Sequence, residues 1–151
     1  MMKRPQSVLV LLHSPERDVL LLERARSPGF WQSVTGSIEL GETPHQAALR
    51  ELHEETALQV SPSCIVDWQQ ANRYEIFLQW RHRYAAGVTH NVEYMFSCCV
   101  PSDTLVTLSD EHVAQQWLPW REAAQRVFSW SNRDAIYLLQ QRSQAALCQS
   151  Y

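Results

Sequence analysis

The sequence predicts an α+β fold, or an α-β-α sandwich, in which helices cover a mixed sheet. Three features predict it. Two apolar runs, Ser7–His13 and Asp18–Arg24, flank the turn sequence Ser14-Pro15-Glu16-Arg17. A strongly marked helix start follows at Thr43-Pro44-His45-Gln46, and further strand-like alternation leads to a closing helical stretch after Pro119.

The first two runs are apolar and rich in β-branched residues, which suits two strands joined by a turn. Ser27-Pro28-Gly29 breaks the chain, and Phe30–Thr35 reads as a short strand ending at Gly36. In the next element Thr43 is the N-cap, Pro44 takes the first helical position and Gln46 completes a capping box, so a helix should run to about Thr56.

Ser61-Pro62-Ser63 ends that region, and Ile65–Trp80 alternates well enough for one or two strands. Tyr84-Ala85-Ala86-Gly87 reads as a turn and Val92–Val100 as a central strand. A polar loop extends to Asp110-Glu111-His112, before a short strand ending at Trp117-Leu118. Pro119 opens a short helix, and Ser131 or Asn132 caps a last one that runs to about Leu147.

Length and composition bound the function. At 151 residues, with 45% apolar and 19% charged side chains, the chain suits one domain with a sizeable core. A net charge of −3 gives no general attraction for nucleic acid or an anionic membrane, so any phosphate chemistry must be local. The apolar run Val8–Leu12 is too short for a signal peptide, and no stretch approaches the roughly 20 apolar residues of a membrane span. The expected location is the cytoplasm. Cys64, Cys98, Cys99 and Cys148 lack metal-ligand spacing and read as small buried hydrophobes in a reducing compartment.

The chemistry is concentrated in the predicted helix. Glu51, Glu54 and Glu55 stand at i, i+3 and i+4 and so share a face, while Leu49 and Leu52 point elsewhere. Like charges at this spacing destabilise an isolated helix by about 0.2–0.5 kcal/mol per pair. Only Arg50 is at hand to offset Glu39, Glu42, Glu51, Glu54 and Glu55. A hard divalent cation held by oxygen ligands relieves the repulsion, and magnesium is the natural candidate.

The spacing is itself specific. Gly36, five residues, Glu42, seven residues, then Arg50-Glu51-Leu52-x-Glu54-Glu55-x-Ala57-Leu58 resembles the signature of the Nudix hydrolases, enzymes that split a diphosphate linked to another moiety. One signature position departs from it: Ala57 replaces the glycine that ends the helix. The resemblance implies a loop-helix-loop within an α-β-α sandwich, binding magnesium or manganese. It implies Glu51 and Glu55 as principal ligands, Glu54 as a third ligand or water-orienting group, and a contact from the Gly36 carbonyl. Arg50 with Glu42 corresponds to the family's structural pair, and Glu111 to an additional ligand. The general base lies among Glu54, Glu55 and Glu111.

The flanks resemble the branch of that family acting on a pterin triphosphate. The stretches that carry this are Lys3-Arg4-Pro5, Phe30 to Ser37, Arg81-His82-Arg83-Tyr84-Ala85, Glu111-His112 and Ser129 to Arg133. The implied reaction releases pyrophosphate from dihydroneopterin triphosphate. Hydrolysis of dATP or a damaged deoxynucleoside triphosphate is an alternative, and a catalytically inactive nucleotide-binding module is another. Lys3, Arg24, Arg81 and Arg83 are candidate phosphate-binding cations. Lys3 and Arg24 are placed beside Thr35 in one cleft. Tyr74, Glu75, Ile76 and Phe77 are candidates for the ring pocket, Ser129 for the ring or the phosphates. Trp31, Trp117 and Trp130 are assigned to packing, and His112 receives no role.

Overall fold

The computed structural model describes residues 2–142. Strands β1 (Gln6–His13), β2 (Asp18–Arg24), β3 (Trp31–Gln32), β4 (Val34–Ser37), β5 (Ile65–Glu75), β6 (His90–Cys99) and β7 (His112–Pro119) form one seven-stranded mixed sheet. Helix α1 (Pro44–Thr56) covers one face, and α2 (Trp120–Arg126) and α3 (Trp130–Leu139) cover the other. The central strand β1 runs parallel to β6 from Gln6↔Val92 to His13↔Cys99. On its other edge it pairs antiparallel with β4 and, at His13↔Val19, with β2.

The unbroken apolar runs of β1 and β2 follow from burial on both faces. Val8, Val10, Leu12, Leu20 and Leu22 face α1, where they meet Ala47, Ala48 and Leu52. Leu9, Leu11, Val19 and Leu21 face the other way, onto Ala123, Ala135, Ile136 and Leu139. Each fully buried Leu contributes about 1.5–3 kcal/mol. These two clusters are the layers on either side of the sheet. No helix among the described residues is long and apolar enough to cross a membrane.

Several expectations need correcting. The strand expected over Phe30–Thr35 is two strands broken at Ser33, which turns its N–H to the Asn132 Oδ1 at 2.9 Å instead of to a neighbouring strand. The second of them continues through Gly36 to Ser37. The alternating region after Ile65 is one strand, irregular between Asp67 and Ala71 where Gln69 has φ 54°, and Leu78–Arg83 forms a 3₁₀ turn. Helix α3 is capped by Ser129, whose hydroxyl accepts from the Asn132 N–H, not by Ser131 or Asn132. It ends at Leu139 rather than Leu147; residues 143–151 lie outside the described part. Cys64 and Cys98 are free thiols, but Cys99 is disulfide-bonded, a pairing in space that cysteine spacing along the chain does not show. Trp31 and Trp117 pack on the core as expected, whereas Trp130 is exposed.

Candidate active site

Helix α1 builds the acidic half of the site, and its limits are set locally. The Thr43 hydroxyl accepts from the Gln46 N–H at 3.1 Å, and the Gln46 side chain accepts from the Thr43 N–H at 2.9 Å. At the other end Ala57 adopts the left-handed conformation, φ 62°, and returns its N–H to the His53 carbonyl. The exit that glycine would make without strain is therefore made here by alanine.

The three glutamates of the signature, Glu51, Glu54 and Glu55 (the box glutamates), do not share one environment. Leu52 anchors the helix in the core, which turns Glu55 fully inward and Glu51 nearly so, while Glu54 stays in solvent. Arg50 organises the rim. Its Nε and one terminal nitrogen grip both oxygens of Glu42 at 2.7 and 2.9 Å, and that nitrogen also donates to the Ser37 carbonyl. Its other terminal nitrogen reaches Glu51 at 2.8 Å and Glu54 at 3.2 Å. Glu54 is thus held at the outer edge, apart from the buried pair. The loop ahead of the helix approaches closely: a β-carbon on Gly36 would overlap the Glu51 carboxylate.

Glu55 is the most unusual group of the site. Neither carboxylate oxygen has a hydrogen-bond partner of good geometry, although the Glu51 carboxyl and the Thr35 backbone lie near enough to act on its titration. Burial and then Glu51 push its pKa well above the ordinary carboxylate range. Burial likewise raises Glu51, against the pull of Glu55 and Arg50. From β7 and the loop before it, Glu111 and His112 place ligand atoms within 4.8 Å of Glu55 and of each other. Burial lowers the His112 pKa to about 4, so at neutral pH its imidazole is uncharged and its 3.8 Å approach to Glu55 is no ion pair. Orphaned carboxylate oxygens beside a neutral imidazole suit a divalent cation, which would supply the charge that Glu55 lacks.

The site also holds cations. Lys3, Arg24 and Arg83 line the same cavity, of about 590 Å³, together with Thr35, Gly36, Glu51 and Glu111. The Lys3 N–H donates to the Arg83 carbonyl at 2.8 Å, which joins the N-terminus to the 3₁₀ turn. Lys3 and Arg24 both have lowered pKa values, from burial first and the repulsion of Arg83 next. Arg24 lies 4.7 Å over the Trp80 ring and donates to the Gln32 Oε1 at 3.2 Å, while the Gln32 amide meets the His112 Nε2 at 3.2 Å. Cations that repel one another at a cavity wall form a site for a polyanion.

Tyr74, Glu75, Ile76, Phe77 and Ser129 also line this cavity. Phe77 and Trp80 stack at 5.2 Å with Phe128 edge-on to both, a flat apolar wall. Arg81 does not line it: it is committed to Glu75 at 2.7 Å and the Ile76 carbonyl, and so braces the loop instead of facing the phosphates. The Thr35 hydroxyl is likewise committed, to the Val8 carbonyl. Gln32 and His112 lie in the stretches that resemble the family branch but received no role, and Trp80 was not singled out, because their roles arise from contacts with distant segments.

The family model described as NUDIX domain matches residues 3–143. The chain is 45% identical over 137 residues to the dihydroneopterin triphosphate diphosphatase of Escherichia coli, covering 89% of this chain and 91% of that one. It is 39% identical to the protein of that name from Haemophilus influenzae, over 89% of this chain and 86% of that one. The solved structure of the E. coli dihydroneopterin triphosphate pyrophosphohydrolase superposes with a TM-score of 0.87, at 44% identity, across 91% and 96% of the two chains. A putative Nudix hydrolase from Listeria monocytogenes gives 0.77 at 25% identity, across 98% and 100%. With the box residues assembled on the matching sandwich, the chain belongs to the Nudix family of hydrolases.

Proposed function

We propose that this protein hydrolyses dihydroneopterin triphosphate to the monophosphate and pyrophosphate, as a step of folate synthesis. The observation that carries the reading is that Lys3, Arg24 and Arg83 share one cavity with Glu51 and Glu111, the latter beside the buried Glu55, and with the aromatic wall of Phe77 and Trp80. The two relatives named for this activity supply the substrate.

Glu51, Glu55 and Glu111 would hold the cation, magnesium or manganese, with His112 and the Gly36 carbonyl as further candidates. When bound, it supplies charge neutralisation to phosphate oxygens and acidifies a water. Lys3, Arg24 and Arg83 clamp the remaining phosphate charge and fix the in-line orientation. Arg50 sets the position of Glu51 through the Glu42 fork, and so acts on the reaction through another residue. A carboxylate of the cluster accepts the proton of the attacking water, with Glu54, Glu55 and Glu111 as the candidates.

The test is pyrophosphate release from dihydroneopterin triphosphate and dATP, side by side with magnesium, for the native protein and Glu55→Gln. Preference for the pterin, with turnover reduced by at least about 10³-fold in the variant, supports the reading. Preference for dATP moves the protein to nucleotide-pool hydrolysis with the same site. No metal-dependent release from either overturns the proposal.

A further inference from the structure

In the same cavity, strand β6 carries a carboxylate that phosphate chemistry does not use. In β6, Asn91, Glu93 and Met95 point to the α3 side, and Met95 belongs to the core there. Glu93 therefore occupies a core-facing position and is 4% exposed, yet it lines the cavity. Its Oε1 has no hydrogen-bond partner. Among the described residues the Ser131 hydroxyl is the group that favours its charged form, and burial raises its pKa to about 7. Beside it, Asn91 donates its Nδ2 to the Ser7 and Tyr74 hydroxyls at 2.7 and 2.9 Å, which leaves the Asn91 Oδ1 without a partner as well. Tyr74, Asn91, Ser131 and Asn132 also line the cavity.

A buried carboxylate without a cation is costly, by several kcal/mol, unless a ligand completes it. The leftover atoms here are acceptors, so the completing group must be a donor, and the flat wall of Phe77, Trp80 and Phe128 favours a planar ring. A 2-amino-4-oxo ring carries an exocyclic amino group next to a ring N–H, two parallel donors that match the two oxygens of one carboxylate. Adenine presents an amino group next to a bare ring nitrogen, whose lone pair would face a carboxylate oxygen.

We propose that Glu93 is the specificity-determining residue of the ring pocket, accepting the paired amino and ring N–H donors of a 2-amino-4-oxo heterocycle. The inference rests on the substrate reading above and deepens it. It assigns the choice of ring to a residue on β6, an element apart from the helix that carries Glu51 and Glu55.

The experiment uses the full-length protein and its Glu93→Gln variant with magnesium. The amide offers one acceptor and one donor, so it clashes with the ring N–H of a pterin and matches the edge of adenine. In the variant, kcat/KM on dihydroneopterin triphosphate should fall about 10- to 100-fold while that on dATP holds or rises. Inhibition of dATP hydrolysis by dihydroneopterin, the ring without its phosphates, should weaken by a similar factor, and inhibition by inorganic triphosphate should not change. An equal loss on both substrates, or an unchanged ratio, overturns the role of Glu93. Absence of native turnover of dihydroneopterin triphosphate overturns the substrate reading instead, and the two inhibition constants then still decide Glu93. Thermal melting of the variant separates either outcome from misfolding.

Discussion

The Glu51 carboxylate lies against the Cα of Gly36, in the space a β-carbon would fill. Gly36 has no left-handed backbone to explain it, so its hydrogen is there for this approach. Gly36→Ala should push the carboxylate outward, since the far end of a side chain yields before the backbone of β4. A displacement of about 1 Å at such a group costs on the order of 10²-fold in kcat/KM. The melting temperature should change by only a few degrees, about 2–4 °C per kcal/mol in a domain of this size. Full activity in the variant would show that the contact is incidental.

At the other end of the same helix, Ala57 sits at φ 62°. A β-carbon in this conformation costs about 1–2 kcal/mol, which glycine avoids at some loss through its freer unfolded chain. Ala57→Gly should therefore raise stability by about 0.5–1 kcal/mol and leave activity unchanged. Denaturant unfolding measures it; a lowered midpoint would contradict the strain.

Arg24 is desolvated and repelled by Arg83, and its buried Nε has no hydrogen-bond partner. Arg24→Ala should lower kcat/KM on triphosphates by about 10- to 100-fold, the worth of a charge-assisted contact, and should weaken inhibition by inorganic triphosphate. If inhibition by the free ring weakened as much, Arg24 would be shaping the pocket rather than holding phosphate.

The buried acids make stability depend on pH in a known direction. Glu93 titrates near 7 and Glu55 well above 4.5, so the folded state holds their protons longer than the unfolded chain does. Their contribution is full below the unfolded value and lost as pH rises through the folded one. His112, lowered to about 4 from 6.5, has the opposite sign and adds stability as pH rises across that interval. The two effects oppose each other below pH 6.5, and above it the carboxylates act alone. Metal-free protein should lose stability from pH 6.5 to about 7 through Glu93 and Glu55 together, by up to about 1.4 kcal/mol per unit for each, and above that through Glu55 alone as its raised pKa is passed. Magnesium should restore it most at pH 8, and Glu55→Gln should flatten the metal-free profile. Melting curves in chelator and in magnesium decide this; a metal-free profile rising over that range would refute it.

Features governed by near neighbours were legible in the sequence. The α1 helix begins where Thr43, Pro44 and Gln46 place it, because a capping box is closed by residues three apart. The placement of the signature glutamates on the helix follows from helical spacing, the Arg50–Glu42 pair from the resemblance to the family signature, and the apolar runs marked strands β1 and β2. Tertiary structure decided what distant segments do to one another. Asn132, 99 residues away, takes the Ser33 N–H and splits one expected strand into two, and Ser129 caps α3 ahead of two residues that propensity ranks equally well. Periodicity places Glu93 on a strand, but only the meeting of β6 with β1, β5 and α3 makes it a buried acceptor without a partner. Similarly, only the return of β7 beside β2 brings Glu111 and His112 to Glu55. The physical reason is range: capping and helical spacing act within a turn, whereas desolvation and ligand geometry depend on which strands lie side by side.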